Sequence, residues 1–184
     1  MELLAQNIAD AARAGGIDLD DKLPPGPDAD AIAAAAEMAV EEREAMIEGM
    51  VDGLAARLAD TPDDTAGWQR LARAYMVLDR PADAATALIG AADAQPDEAT
   101  TQLAALEHLV VNQLEADFIT DANRLLERAE RQAADNPEAL YIRGHFAQLA
   151  GETDQAGRLW QRLLDRMPDD APIRDQLQAA IDRL

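Results

Sequence analysis

Apolar residues recur along much of this chain at intervals of three and four, the period of an amphipathic helix. The clearest run is Trp68-Gln69-Arg70-Leu71-Ala72-Arg73-Ala74-Tyr75, where Trp68, Leu71, Ala72 and Tyr75 share one face. After Asp79-Arg80-Pro81, the same spacing continues in Ala84, Leu88 and Ala91, and Pro96 stops it because proline cannot extend a helix. Two helices joined by a tight turn are predicted. Ala72 and Ala84 are small enough to let them approach, and Trp68, Tyr75 and Leu88 fill the space between. A single pair of this kind cannot bury its own apolar face and needs neighbours. A later copy supplies one, with Leu140, Gly144, Ala147, Gly151, Ala156, Trp160, Leu163 and Pro168 taking up the pattern. Between them lies an irregular copy that begins near Ala99. Leu103, Leu106, Leu109 and Val110 mark its first helix, and Ala122, Leu125, Leu126 and Ala129 its second. Asn112 to Thr120 reads as an enlarged loop, and Gln102 falls where an apolar residue is expected.

The flanks are also predicted to be helical. A long helix spans about 41–59, with Glu41-Glu42 at its positive end and Met46, Ile47, Met50, Val51, Leu54 and Leu58 as its stripe. Gly49 and Gly53, four apart, read as a close helix contact. Residues 1–40 read as an N-terminal helical extension and Pro-rich linker, with a helix over 3–14, a linker at Pro24-Pro25-Gly26-Pro27 and an Ala-rich run from Ala31. At the other end Pro172 opens a capping helix over 172–184. Ile173, Leu177, Ala180, Ile181 and Leu184 are expected to face inward, and Arg174, Asp175, Gln178 and Asp182 outward. A large aromatic residue, a Leu-small pair, a Tyr, further small and large apolar positions and a terminal Pro make up the tetratricopeptide (TPR) signature. The expected fold is all-α: a TPR-type right-handed superhelix of antiparallel helix pairs with N-terminal extra helices and a C-terminal capping helix. Its TPR domain covers 41–184, with repeats at about 65–98, 99–136 and 137–170.

Composition agrees and narrows the chemistry. Of 184 residues, 48% are hydrophobic but only 3% aromatic, which suits close-packed helices rather than a β-sandwich. The formal charge of -20 repels nucleic acid and anionic membranes, so neither is an expected partner. The absence of cysteine excludes disulfides and thiol chemistry. No stretch is long and apolar enough to span a membrane and no signal peptide is visible, so membrane association is expected only through segments absent from this chain. His108 and His145 are far apart and lack partners at ligand spacing, so metal or haem ligation is not expected. The Asp pairs at turns read as helix caps. There is no phosphate loop, dinucleotide fingerprint, EF-hand or serine elbow. No catalytic residue and no cofactor are expected, and the chain does not read as an enzyme.

A binding surface remains. In stacked helix pairs the first helices line the concave face. Their outward positions are Gln69, Arg73 and Met76 in the first repeat, Leu103, Glu107 and Val110 in the second, and Tyr141, His145 and Gln148 in the third. This mixed lining suits an amphipathic helix or extended peptide laid in a groove. The Lys and Asn of a carboxylate clamp are missing from Gln69, Arg73 and Ile142, so a terminal Glu-Glu-Val-Asp peptide is not the expected ligand.

One run is more specific than the repeat pattern. Met46-Ile47-Glu48-Gly49-Met50-Val51, followed by Pro62-Asp63-Asp64 and Gly67-Trp68, resembles the TPR-containing subunit of bacterial cytochrome c maturation, the CcmI/CycH kind. The resemblance continues through Asp135-Asn136-Pro137 and Trp160-Gln161-Arg162-Leu163-Leu164 to Pro168-Asp169-Asp170-Ala171-Pro172, and covers about residues 30–184. It implies a non-catalytic periplasmic chaperone. Such a protein would capture unfolded apocytochrome c, largely by its C-terminal helix, and bring it to the haem-ligation machinery. Members of that family carry N-terminal transmembrane helices, so the expectation is a soluble domain of an inner-membrane-anchored protein. A cell-envelope TPR scaffold with a different client is the alternative.

Overall fold

The computed structural model describes residues 40–184; the readings made for 3–14, 24–27 and the run from Ala31 lie outside them. The chain divides into two compact units that part after Gly49. Of the first unit, residues 40–49 are described, and they form the opening turns of helix α1 (Val40–Asp60). The second unit contains the rest of α1 and three helix pairs. These are α2 (Thr65–Val77) with α3 (Pro81–Ala94), α4 (Ala99–Val111) with α5 (Ile119–Ala133), and α6 (Pro137–Leu149) with α7 (Thr153–Leu164). Helix α8 (Arg174–Ile181) follows and packs on α7. No strand occurs among the described residues, and the fold is all-α, of the TPR type.

Polar side chains fix where the pairs start. Asp64 accepts a hydrogen bond from Gly67 N at 2.8 Å and so caps α2. Asn136 caps α6 by accepting from Glu138 N at 2.8 Å. Within each pair the first helix ends in the same way. Asp79, Gln113 and Gly151 take left-handed φ values of 55°, 57° and 77°. The next residue donates its N–H five residues back, Arg80 to Tyr75 O at 2.9 Å, Leu114 to Leu109 O at 2.9 Å and Glu152 to Ala147 O at 2.8 Å. This is the Schellman turn three times over, with glycine at the strained position only in the third. In the first and third pairs the second helix begins at the following residue. In the second pair 115–118 intervene, and Phe118 packs against the core before α5 begins.

Burial follows the apolar spacing. Ala72, Ala84, Leu106, Leu109, Ala122 and Leu125 are fully buried. One cluster joins α3, α4, α5 and α6 through Ile89, Leu103, Leu106, Leu125, Ile142 and their neighbours. A second joins α6, α7 and α8 through Leu140, Leu159, Trp160, Leu163, Leu164 and Leu177. Each tryptophan packs directly against a glycine of its partner helix. A Cβ added to Gly90 would sit 2.7 Å from Trp68, and one added to Gly144 would sit 2.5 Å from Trp160 Cδ1. Both indoles also donate to backbone, Trp68 to Pro62 O at 2.9 Å and Trp160 to Tyr141 O at 3.1 Å. Gln102, at the expected apolar site, is fully buried. Its amide donates to Gln95 O at 3.0 Å and Pro96 O at 3.2 Å, tying α4 to the end of α3.

Several expectations need correction. Gly49 and Gly53 are exposed, with no described atom within 4 Å of an added Cβ, so they form no close helix contact among the described residues. The stripe of α1 buries Val51 and Leu58, whereas Met46 and Met50 are exposed. The capping helix is shorter than 172–184, and Pro172 precedes it. Ile173 is exposed. Arg174 turns back onto the end of α7, donating to Leu164 O at 2.7 Å and Met167 O at 3.1 Å, because those terminal carbonyls have no helical partner.

The glycines give opposite expectations. Replacing an exposed helical Gly by Ala gains about 1 kcal/mol of helix propensity, so Gly53→Ala should raise the thermal midpoint. Gly144→Ala gains the same propensity but drives a methyl into Trp160, so the midpoint should fall. Trp160→Ala should cost about 3–5 kcal/mol as a buried large-to-small change. Denaturant unfolding of the three variants checks all of this, and an unchanged Trp160→Ala midpoint contradicts the packing of the third pair.

Candidate peptide-binding site

Helices α2, α4 and α6 each have 13 residues, so equal positions can be compared directly. The ninth carries Arg73, Glu107 and His145; the twelfth carries Met76, Val110 and Gln148; the fifth carries Gln69, Leu103 and Tyr141. Gln69, Arg73, Met76, Glu107, Tyr141 and Gln148 are exposed, and Val110 and His145 are half-buried. Leu103 departs from the expectation. It is 2% exposed and belongs to the core, because α4 has helix neighbours on both sides, α3 and α6. A ligand cannot reach it.

The structure brings some of these residues together. Tyr141, His145 and Gln148 line one cavity of about 260 Å³, whose remaining lining includes Trp160, Leu177 and Arg183. Met76 lines a second cavity of about 260 Å³ at the junction of the first and second pairs, with Arg80, Pro81, His108, Val111 and Asn112. Gln69, Arg73, Glu107 and Val110 border neither.

Hydrogen bonds fix the shape of both places. His108 donates from Nε2 to Pro81 O at 2.9 Å, and its Nδ1 accepts from Asn112 Nδ2 at 3.3 Å, so it ties α4 to the start of α3. In the first turn, Arg80 lies 4.7 Å over the Tyr75 ring, a cation–π contact. Burial raises the Tyr75 phenol above its ordinary pKa, and the Arg80 charge opposes that rise. In the third pair, His145 Nε2 meets Glu115 Oε1 at 2.8 Å. Glu115 comes from the four-residue excursion of the second pair, so that loop reaches the binding face of the third. Partial burial and then the Glu107 carboxylate raise the pKa of Glu138, so α4 and α6 bring two acids near each other.

Among the described residues no three His, Cys, Asp or Glu side chains are grouped to hold a metal ion. No helix among them is long and apolar enough to cross a membrane. Sequence reasoning missed Glu115, Trp160, Ile173 and Arg183 as parts of this face. A signal for Glu115 was present: the second repeat is four residues longer than the first, and the extra residues had to go somewhere. Arg183 lies in the turn just past the last residue of α8, so helical spacing alone did not mark it.

Comparison with known proteins places this geometry. A family described as the cytochrome c-type biogenesis protein H TPR domain matches residues 32–174. The cytochrome c-type biogenesis protein CycH of Rhizobium meliloti (strain 1021) is 57% identical over 49 residues, which cover 27% of this chain and 13% of that protein. CycH of Bradyrhizobium diazoefficiens is 51% identical over 47 residues, 26% of this chain and again 13% of that protein. The chain thus aligns with only a small part of these relatives. Two crystal structures of MamA share the fold. One superposes with a TM-score of 0.50 at 16% identity, covering 79% of this chain and 92% of that one. The other gives 0.51 at 17%, covering 78% and 79%. At such identities the likeness concerns the fold alone. The family match spans most of the sequence and contains all three helix pairs, and on that basis the chain belongs to the cytochrome c-type biogenesis protein H TPR domain family.

Proposed function

We propose that this chain is a non-catalytic periplasmic chaperone domain. It binds unfolded apocytochrome c along the face of α2, α4 and α6, chiefly through the client's C-terminal helical region, and delivers it for haem ligation. The family match over residues 32–174 carries the reading. The face itself supports it: exposed Met76 and Tyr141 offer apolar contact, and Arg73, Glu107, Gln69 and Gln148 offer polar contact. That mixture suits an amphipathic helix, which presents one apolar stripe and polar flanks. On this reading the domain works in the periplasm as part of a membrane-anchored protein, and its partners are apocytochrome c and the haem-ligation machinery. A solvent-facing groove that binds reversibly needs no cofactor and no catalytic group.

Calorimetric titration with the C-terminal helix peptide of a c-type cytochrome tests the reading, with a scrambled peptide and folded holocytochrome as controls. Micromolar or tighter binding of the native peptide alone is expected. Absence of binding, or equal binding of the scramble, overturns it in favour of a cell-envelope TPR scaffold with another client. Arg73 is exposed and makes no ion pair among the described residues. Arg73→Glu should therefore change stability by no more than about 0.5 kcal/mol while weakening peptide capture several-fold. Equal capture by the variant removes Arg73 from the site.

A further inference from the structure

The cavity between α6 and α8 differs in charge from the rest of the molecule. The chain has 36 acidic and 16 basic residues, yet no carboxylate lines this cavity. The three other cavities described each have at least one: Asp79 in one, Glu152 and Asp154 in another, Glu130 and Glu152 in the third. Its charged group is Arg183. That guanidinium donates from Nε to Ala179 O at 2.8 Å and makes no ion pair among the described residues. Gln148 and Gln176 add amides at the rim, and Trp160 and Leu177 give an apolar floor. Glu115 approaches only through His145, to which its carboxylate is bonded.

We propose that this cavity is a subsite for one acidic side chain of the client helix, seated on Arg183 beside an apolar side chain that rests on Trp160 and Leu177. The proposal deepens the apocytochrome reading and rests on it. Charge complementarity selects the occupant. An arginine pairs with a carboxylate through two parallel N–H bonds, and the apolar floor beside the exposed Arg183 receives the neighbouring apolar side chain. The surroundings give the pairing a purpose. A client carboxylate placed away from this cavity and from Arg73 meets a strongly negative molecule and is repelled, whereas here it is accepted. Repulsion at the wrong positions and attraction at these few together set the register of a bound helix.

The test uses the C-terminal helix peptide of a c-type cytochrome and a set of variants in which each Asp or Glu is replaced singly by its amide. A further peptide is amidated at its C-terminus. Each is titrated into the wild-type domain, into Arg183→Gln, and into Arg158→Gln, an exposed arginine outside this cavity. One single replacement should weaken binding to wild type and to Arg158→Gln by about three- to five-fold, the size of a solvent-exposed ion pair, and should leave Arg183→Gln unaffected. If no replacement separates wild type from Arg183→Gln, the subsite is overturned while the groove reading stands. If only C-terminal amidation separates them, the occupant is a chain end and the proposal fails. If no peptide binds any form, the groove reading falls and the subsite with it.

Discussion

In the first and third pairs the distance between helices is set by an indole packed on a glycine. Trp68 against Gly90 and Trp160 against Gly144 leave no room for a methyl group, so each pair is as close as backbone and aromatic ring allow. Each indole N–H also donates to a backbone carbonyl, so its polar edge is satisfied where its faces are packed. The two contacts are mirror cases: in the first pair the first helix supplies the tryptophan, and in the third the second helix does. Position along the stack therefore matters less than the contact. Ala72, Ala84 and Ala156, all fully buried, extend the close approach on either side of it.

Much of this was legible in the amino-acid pattern because helix packing leaves a strong periodic trace. Trp68, Leu71, Ala72 and Tyr75 point to the first pair, and Gly144 with Trp160 to the third. What stayed hidden depends on neighbours rather than on period. Leu103 stands at the same position as exposed Gln69 and Tyr141, yet it is buried because its helix is covered on two sides. Gln102 is polar in sequence but apolar in placement, and two backbone carbonyls at the end of α3 accept from its amide nitrogen. Met46 and Met50 carry the right spacing for burial, but spacing says nothing about whether a partner is present. Of the candidate site, the third-pair trio was readable from register. The α8 wall was not, because a helix read as a cap was assigned only an inner and an outer side.

The arginines show how a strongly acidic chain holds its repeats together. Arg124 and Arg128, on the second helix of one pair, both bind Asp93 near the end of the preceding second helix. Arg162 of α7 and Arg166 just beyond it both bind Asp135, in the turn after α5, one pair later. These pairs are partly exposed and individually weak. Their recurrence gives these cations a structural use along the second helices, whereas Arg73 and Arg183, on the first-helix and α8 side, make no ion pair among the described residues.

In a solenoid each repeat touches only its neighbours through helix faces, and units can fray one at a time from either end. The excursion at 115–118 adds a different kind of link. Leu114 and Phe118 pack into the core of the second pair, while Glu115 is fastened to His145 of the third. Separating the second and third pairs therefore means extracting an anchored loop as well as parting two faces. The stack gains an internal cooperative block there, and among the described helices α8, with Leu177 as its one buried side chain, offers the least resistance to local opening.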